Sequence, residues 1–207
     1  MKEREEKNMP EKSILSSSEI QVPCVYFGEA GPANTRRTIE IAVRRAEELD
    51  IKHIVVASAS GATALEAVAA FRSRSVVVVT HSTGFLRPDF QELDAERRKK
   101  IEAAGAKILT CQHALGGVNR AVRKKLGTYE LDEILALALK IFGQGLKVAV
   151  EISLMAADAG LVPTTEPCLS IGGTGSGADT AVLLRPSNAQ TFFDLRIMEI
   201  LAKPRLK

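Results

Sequence analysis

The sequence predicts an α/β fold: a three-layer α/β/α domain with a largely parallel central sheet and one or two antiparallel edge strands. Three observations carry this. Short, fully apolar runs such as Ile54-Val55-Val56-Ala57 and Val76-Val77-Val78-Val79 show no polar alternation, as expected of strands covered on both faces. Helical patterns separate these runs with short links, which is the rhythm of βαβ units. Hydrophobic residues make up 45% of the chain while aromatics are only 4%, so the core is built from Ala, Val, Ile and Leu.

Residues 1–20 are charge-rich and read as an N-terminal tail, and residues 21–207 as one domain with no internal repeat. Val22 to Phe27 is the first strand, ending at Gly28. The loop Gly31-Pro32-Ala33-Asn34-Thr35 offers Asn34 or Thr35 as a cap for a helix running to about Leu49. Ile39, Ala42, Val43 and Ala46 give that helix an apolar side. His53 to Ala57 is the second strand, followed by a helix over Gly61 to Phe71. Ser75 to Thr80 is the third strand. Pro88-Asp89 is expected to open a charged helix reaching Ala104, with Glu96 to Lys100 as its solvated face. Lys107 to Thr110 is the fourth strand.

From 114 to 161 the pattern changes to helices: Val118 to Leu126, Leu131 to Phe142, and Leu146 to Ala159, the last closed by Gly160 and Pro163. These apolar helices are expected to be buried in their own domain, with a homo-oligomer interface as the alternative use of 131–159. Cys168 to Ile171 and Ala178 to Leu184 are two strands joined by a glycine loop, hence antiparallel. The stretch Arg196 to Leu201 alternates polar and apolar residues and is expected to be a final edge strand.

Composition narrows the function. A net charge of +3, spread along the chain, gives no nucleic-acid footprint but does not repel an anionic ligand. Cys24, Cys111 and Cys168 are scattered with no metal-ligand spacing, as in reduced cytosolic thiols. No apolar run reaches membrane-spanning length and no signal core is present, so a cytoplasmic, non-membrane protein is expected.

The sharpest feature is Ser58-Ala59-Ser60-Gly61-Ala62-Thr63, between the second strand and its helix. Such a turn aims free N–H groups and the positive end of a helix dipole at one point. Ser58, Ser60 and Thr63 add hydroxyls, which makes a phosphate cradle. The turn lacks the lysine of a nucleotide-triphosphate loop, and taken alone it serves equally well as a helix cap. A second loop, Gly172-Gly173-Thr174-Gly175-Ser176-Gly177, can approach a ligand closely and present several N–H groups. Ligands in open α/β sheets sit beyond the carboxyl ends of the strands. Thr80, His81 and Thr83 after the third strand, Asn34-Thr35 after the first, and Thr110 to His113 after the fourth all fall on that edge.

His81 has no partner carboxylate that the sequence identifies. Cys111 reads as a half-buried inert thiol, and His53 as structural on the opposite edge. Glu151 and Asp158 share a helix face, but no further metal ligands can be placed, so no metal is expected.

The residues Thr38-Ile39-Glu40-Ile41-Ala42, Ile54 to Ala64 and Val76 to His81 resemble the C-terminal α/β domain of pyruvate kinase in its stand-alone form. The resemblance is good over 34–82, weaker around 170–185, and leaves 114–161 unexplained. In pyruvate kinases the equivalent Ser/Gly loop holds a phosphate of the sugar-bisphosphate activator, and a later Gly-Ser-Gly loop, matched here by Gly175-Ser176-Gly177, closes over it. The stand-alone relatives are associated with flavin mononucleotide (FMN). The resemblance therefore implies a phosphorylated ligand, FMN first, held by Asn34, Thr35, Ser58, Ser60, Gly61, Ala62, Thr63, Thr80, His81, Gly84 and the loop Gly172, Gly173, Thr174, Gly175, Ser176 and Gly177. A TIM-barrel catalytic domain does not fit in 207 residues as well, so no pyruvate kinase activity is expected. Two alternatives stand beside this. One is a flavin-dependent oxidoreductase or sugar-phosphate enzyme using His81, Cys111 or His113. The other is a regulatory interaction module without chemistry.

Overall fold

The computed structural model describes residues 19–205; most of the expected N-terminal tail lies outside them. Seven strands form one sheet: β1 (Val25–Phe27), β2 (His53–Ala57), β3 (Ser75–Val79), β4 (Lys107–Leu109), β5 (Cys168–Gly172), β6 (Thr180–Arg185) and β7 (Arg196–Pro204). Their spatial order is β1-β7-β6-β5-β2-β3-β4. Six run in one direction; β6 alone is antiparallel to both neighbours.

The α/β class and the largely parallel sheet are as the sequence predicts. The antiparallel strand β6 stands inward of the margin. Strand β7, read from its alternation as an edge strand, pairs on both sides, with β6 and with β1, and β1 takes the edge. Burial along β7 does not follow the alternation: Arg196 to Met198 are exposed together, and Leu201 and Ala202 enter the core together.

Helices cover both faces. On one face lie α1 (Thr35–Glu48), α2 (Ala62–Ala70) and α3 (Ala95–Ala103). Ile39, Ala42 and Ala46 of α1, Ala64, Ala67 and Val68 of α2, and Ile101 of α3 pack there against Ile54, Val56, Val76, Val78, Leu169, Ile171 and Leu183. On the other face α6 (Gln144–Asp158) presents Ala149, Ile152, Met155 and Ala156 to Val55, Val77, Val79, Val182 and Leu184. Alternate residues of β2 and β3 thus enter different cores, which is why their sequences carry no polar alternation. Outside α6 lies α5 (Leu131–Lys140), with α4 (Gly117–Leu126) beside it. Most of α6 is buried, while Leu131, Ile134 and Leu137 of α5 remain exposed.

Two local readings change. The helix expected from Pro88-Asp89 begins only at Ala95. Asp94 is its N-cap, accepting from the Arg97 N–H at 2.8 Å. The segment before it is irregular because Asp89 takes a left-handed φ of 59°, which ends any helix started at Pro88. Helix α5 stops at Lys140, and Gly143, at φ 124°, separates it from α6. Among the described residues, no helix is long and apolar enough to cross a membrane.

Candidate functional site

A cleft of about 700 Å³ opens at the carboxyl ends of the parallel strands. Four segments build most of it, and His113, after β4, completes the lining. The turn after β2 supplies Ser58, Ser60, Ala62 and Thr63, with Glu66 one turn along α2. The ends of β3 and the loop beyond it supply Val79, Thr80, His81, Phe85 and Glu92. Helix α6 supplies Gln144, Val148, Glu151, Ile152 and Met155. The glycine loop supplies Gly173, Gly175, Ser176 and Gly177, against Pro32 and Thr35 at the start of α1. The two loops singled out in the sequence, more than a hundred residues apart, thus face one space.

The turn after β2 is held from several sides. The Ser58 N–H donates to the Val79 carbonyl at 2.9 Å, and Ser58 Oγ accepts from the Ala64 N–H at 3.2 Å. That serine thus satisfies one first-turn N–H of α2 from three residues before the N-cap position, which Gly61 occupies. Gly61 has φ 88°, and a Cβ there would lie 2.6 Å from Leu93 Cδ1, so this position needs glycine for conformation and for space. Arg97 Nη1 donates to the Ser60 carbonyl at 3.1 Å and brings positive charge behind the turn. The N–H groups of Ser60, Gly61, Ala62 and Thr63 have no acceptor among the described residues. They are the free donors of the α2 N-terminus.

The glycine loop is pinned rather than loose. The Ala178 N–H donates to Thr35 Oγ1 at 2.9 Å, and the Gly31 N–H donates to the buried Asp179 carboxylate at 3.0 Å. A Cβ on Gly177 would sit 2.5 Å from Pro32 Cα. The loop therefore touches the start of α1 backbone to backbone. Gly172 lies within β5, where a Cβ would meet the Gly145 carbonyl at 2.4 Å. It sets the fit of α6 on the sheet and does not line the cleft. Asn34, Gly61, Gly84 and Thr174 also stay off the lining. The Asn34 amide is spent on the carbonyls of Glu29 and Gly31.

Beyond β3, Thr80 Oγ1 meets Thr110 Oγ1 at 2.7 Å, tying the ends of β3 and β4. His81 does have a carboxylate partner, contrary to the sequence reading: its Nδ1 lies 2.6 Å from Glu92 Oε2. The irregular course of 82–94 brings that glutamate back. Phe85 stacks on His81 at 4.0 Å and on His113 at 5.0 Å, and the Arg120 guanidinium lies 5.0 Å from the Phe85 ring centre. An aromatic wall exists where the low aromatic content promised little. Cys111 does not line the cleft; burial, then the Asp158 charge, pushes its thiol up. Burial likewise pushes Cys168 up to about 12.

Glu151 and Asp158 have separate roles despite sharing α6. Glu151 pairs with Lys147 inside the protein and accepts the Leu115 N–H at 3.0 Å. Asp158, at the far end, accepts from Asn188 Nδ2 and the Ala189 N–H. At the start of β2, His53 Nε2 lies 3.4 Å from Glu166.

Burial is the main cause that holds the His113 imidazole down at about 4 from its ordinary 6.5, with Glu151 opposing and His81, Arg120 and Lys147 reinforcing. Its Nε2 is buried without a partner. The unfolded chain then binds this proton more readily than the folded one. Stability from keeping His113 neutral is fully present above pH 6.5 and declines as pH falls toward 4. The stability difference between wild type and His113→Phe, from urea midpoints, should be constant above pH 6.5 and shift against the wild type on acidification through this window. A difference flat down to pH 4 would show that the ring is not held neutral.

The profile of the family described as pyruvate kinase, alpha/beta domain, matches residues 36–184. The match runs through 114–161, the helical region that the residue-level resemblance left out. Among solved structures, a Cryptosporidium parvum pyruvate kinase is 16% identical with TM-score 0.38, covering 77% of this chain and 24% of that one. Another C. parvum pyruvate kinase structure is 15% identical with TM-score 0.41, covering 76% and 23%. A hydrogen sulfide-producing enzyme from Fusobacterium nucleatum is 15% identical with TM-score 0.29, covering 57% and 44%. The chain spans about a quarter of the length of the pyruvate kinases it matches. With the profile covering most of a mainly parallel α/β sheet and both of its strand-end loops, the chain belongs to the pyruvate kinase α/β domain family.

Proposed function

We propose that this domain binds a phosphorylated small molecule in the cleft, with FMN as the first candidate. The carrying observation is the row of unpartnered N–H groups from Ser60 to Thr63 at the start of α2, inside a cleft of ligand size. A phosphate there would meet backbone donors, a helix dipole and the Arg97 charge behind Ser60.

The rest of the cleft fits a flat, largely apolar ring. Val148, Ile152 and Met155 offer an apolar wall from α6, and Phe85 an aromatic surface. Of the three carboxylates on the lining, Glu151 is paired with Lys147, Glu92 is hydrogen-bonded to His81, and Glu66 is exposed with no ion-pair partner among the described residues. Ser58, Ser60, Ala62 and Thr63 would hold the phosphate. Thr80 and His81 would stand at the middle, with Gly173, Gly175, Ser176 and Gly177 over the remainder.

Titration with FMN, followed by absorbance and fluorescence, should give saturable binding at one equivalent per chain. Inorganic phosphate should compete, and a coupled assay with phosphoenolpyruvate and ADP should show no turnover. Absence of saturable FMN binding would remove the flavin assignment. Failure of inorganic phosphate to bind would remove the cradle itself.

A further inference from the structure

Phosphate binding leaves one feature of the cleft unused. His81 follows the end of β3, and Glu92 Oε2 stands 2.6 Å from its Nδ1. A carboxylate in that position keeps the ring proton of neutral imidazole on Nδ1, which leaves Nε2 as the free base. Nε2 has no hydrogen-bond partner among the described residues and is not a buried orphan, and the ring lines the cleft. The ring is also held still. Phe85 stacks on one face at 4.0 Å, Gln91 Nε2 donates to the His81 carbonyl at 3.0 Å, and Gln91 Oε1 accepts the Leu93 N–H at 3.0 Å. An oriented imidazole with its open nitrogen in a cleft is the arrangement of a general acid–base.

Other titratable or charged groups near the cleft come from four elements. His113 follows β4, 5.4 Å away between ring centres. Arg120 of α4 reaches Phe85, the Lys147–Glu151 pair of α6 closes on itself, and Glu66 of α2 is exposed. Glu92 is the carboxylate in contact.

We propose that His81 is the acid–base residue of a proton-transfer active site, with Glu92 as its positioning residue. The substrate class is a short hydroxy-carbonyl phosphate whose phosphate rests at the start of α2. This inference rests on the phosphate cradle proposed above and is separate from the flavin assignment.

Neighbouring strands lie about 4.8 Å apart, and the cradle and His81 follow the paired strands β2 and β3. The cradle and His81 therefore stand at the ends of adjacent strands in one cleft, which suits a short phosphorylated substrate reaching from one to the other. Nε2 takes the proton from the hydroxyl-bearing carbon next to the carbonyl. The C–H pair becomes the C=C bond of an enediolate, and the carbonyl π pair moves onto its oxygen. The imidazolium returns the proton to the same carbon, which exchanges it with solvent. Return to the adjoining carbon, with the hydroxyl proton crossing between the two oxygens, gives the isomer. No oxidant, reductant or co-substrate is consumed.

The test uses the full chain. Binding of inorganic phosphate is first measured by ³¹P NMR; no binding would overturn the cradle and this inference with it. The protein is then incubated in D₂O with glyceraldehyde 3-phosphate, dihydroxyacetone phosphate, ribose 5-phosphate and ribulose 5-phosphate. Proton NMR should show protein-dependent loss of the C–H signal beside the carbonyl in at least one of them. His81→Asn should slow this exchange about 100-fold or more. Glu92→Gln should lower kcat about tenfold with KM unchanged, a split that loss of fold does not produce. Phosphate binding without exchange of any of the four compounds would overturn the acid–base role and leave the cradle standing. Exchange that survives His81→Asn at the wild-type rate would overturn it equally.

Discussion

Replacing Lys147 by methionine is expected to destabilise the domain by about 3–5 kcal/mol, measured as a lowered urea midpoint. Lys147 and Glu151 face one another one turn apart on α6, and both are almost fully buried. Burial pushes the lysine down from its ordinary value, and Glu151 resists that shift. The pair itself is not the source of stability, since desolvating two charges offsets much of their attraction. The large cost comes from stranding one of them. Without the ammonium, the Glu151 carboxylate stays beneath the cleft with only the Leu115 N–H at 3.0 Å. The double variant Lys147→Met with Glu151→Gln should recover most of the loss, because a neutral amide still accepts that N–H and strands no charge. A single variant within 1 kcal/mol of wild type, or a double variant no better than the single, would contradict this account.

The second large effect concerns binding. Ala62→Asp should weaken phosphate and FMN binding by about 100-fold or more without lowering thermal stability. Ala62 is the exposed first residue of α2 and lines the cleft. A carboxylate at that helix position suits the macrodipole, so the fold has no reason to suffer. A bound phosphate would then face a like charge. At about 4 Å and an effective dielectric of about 20, that repulsion is about 4 kcal/mol. Gly61 is the poorer place to test the cradle, since any side chain there collides with Leu93 and strains a positive φ. Equal affinity in Ala62→Asp and wild type would place the anion elsewhere.

What the sequence could and could not announce divides along physical lines. Periodicity reports whether an element is covered on one face or two. The four-valine run of β3, the amphipathic α1 and the buried α6 were therefore legible. Strand order was not, because nothing local in Arg196 to Pro204 says that β1 will close its outer side. The turn at Ser58 to Thr63 and the glycine loop were legible as N–H presenters, because glycine and hydroxyl clusters have few other uses. Their convergence on one cleft is a matter of topology.

The α6 wall was invisible for a different reason. Val148, Ile152 and Met155 look the same in sequence whether they face a core or a cleft. Glu92 was not legible because Pro88-Asp89 resembles a helix opening, whereas left-handed Gly84 and Asp89 and the Gly84 N–H bond to the Phe90 carbonyl at 3.0 Å fold the loop back toward His81. The pairing of Lys147 with Glu151 was available as an i, i+4 spacing in an otherwise apolar stretch. That signal marks a buried ion pair, whereas the seven-residue spacing of Glu151 and Asp158 marks none.

The central claim is that the start of α2 and the glycine loop hold one phosphorylated ligand between them. Amide ¹H–¹⁵N spectra recorded during a titration with FMN test it most directly. The account predicts saturable shifts that are largest at Ser60, Gly61, Ala62 and Thr63, with a second group at Gly173 to Gly177 following the same curve. A titration that leaves the Ser60 to Thr63 amides unmoved, or that moves the two loops with different affinities, would contradict it.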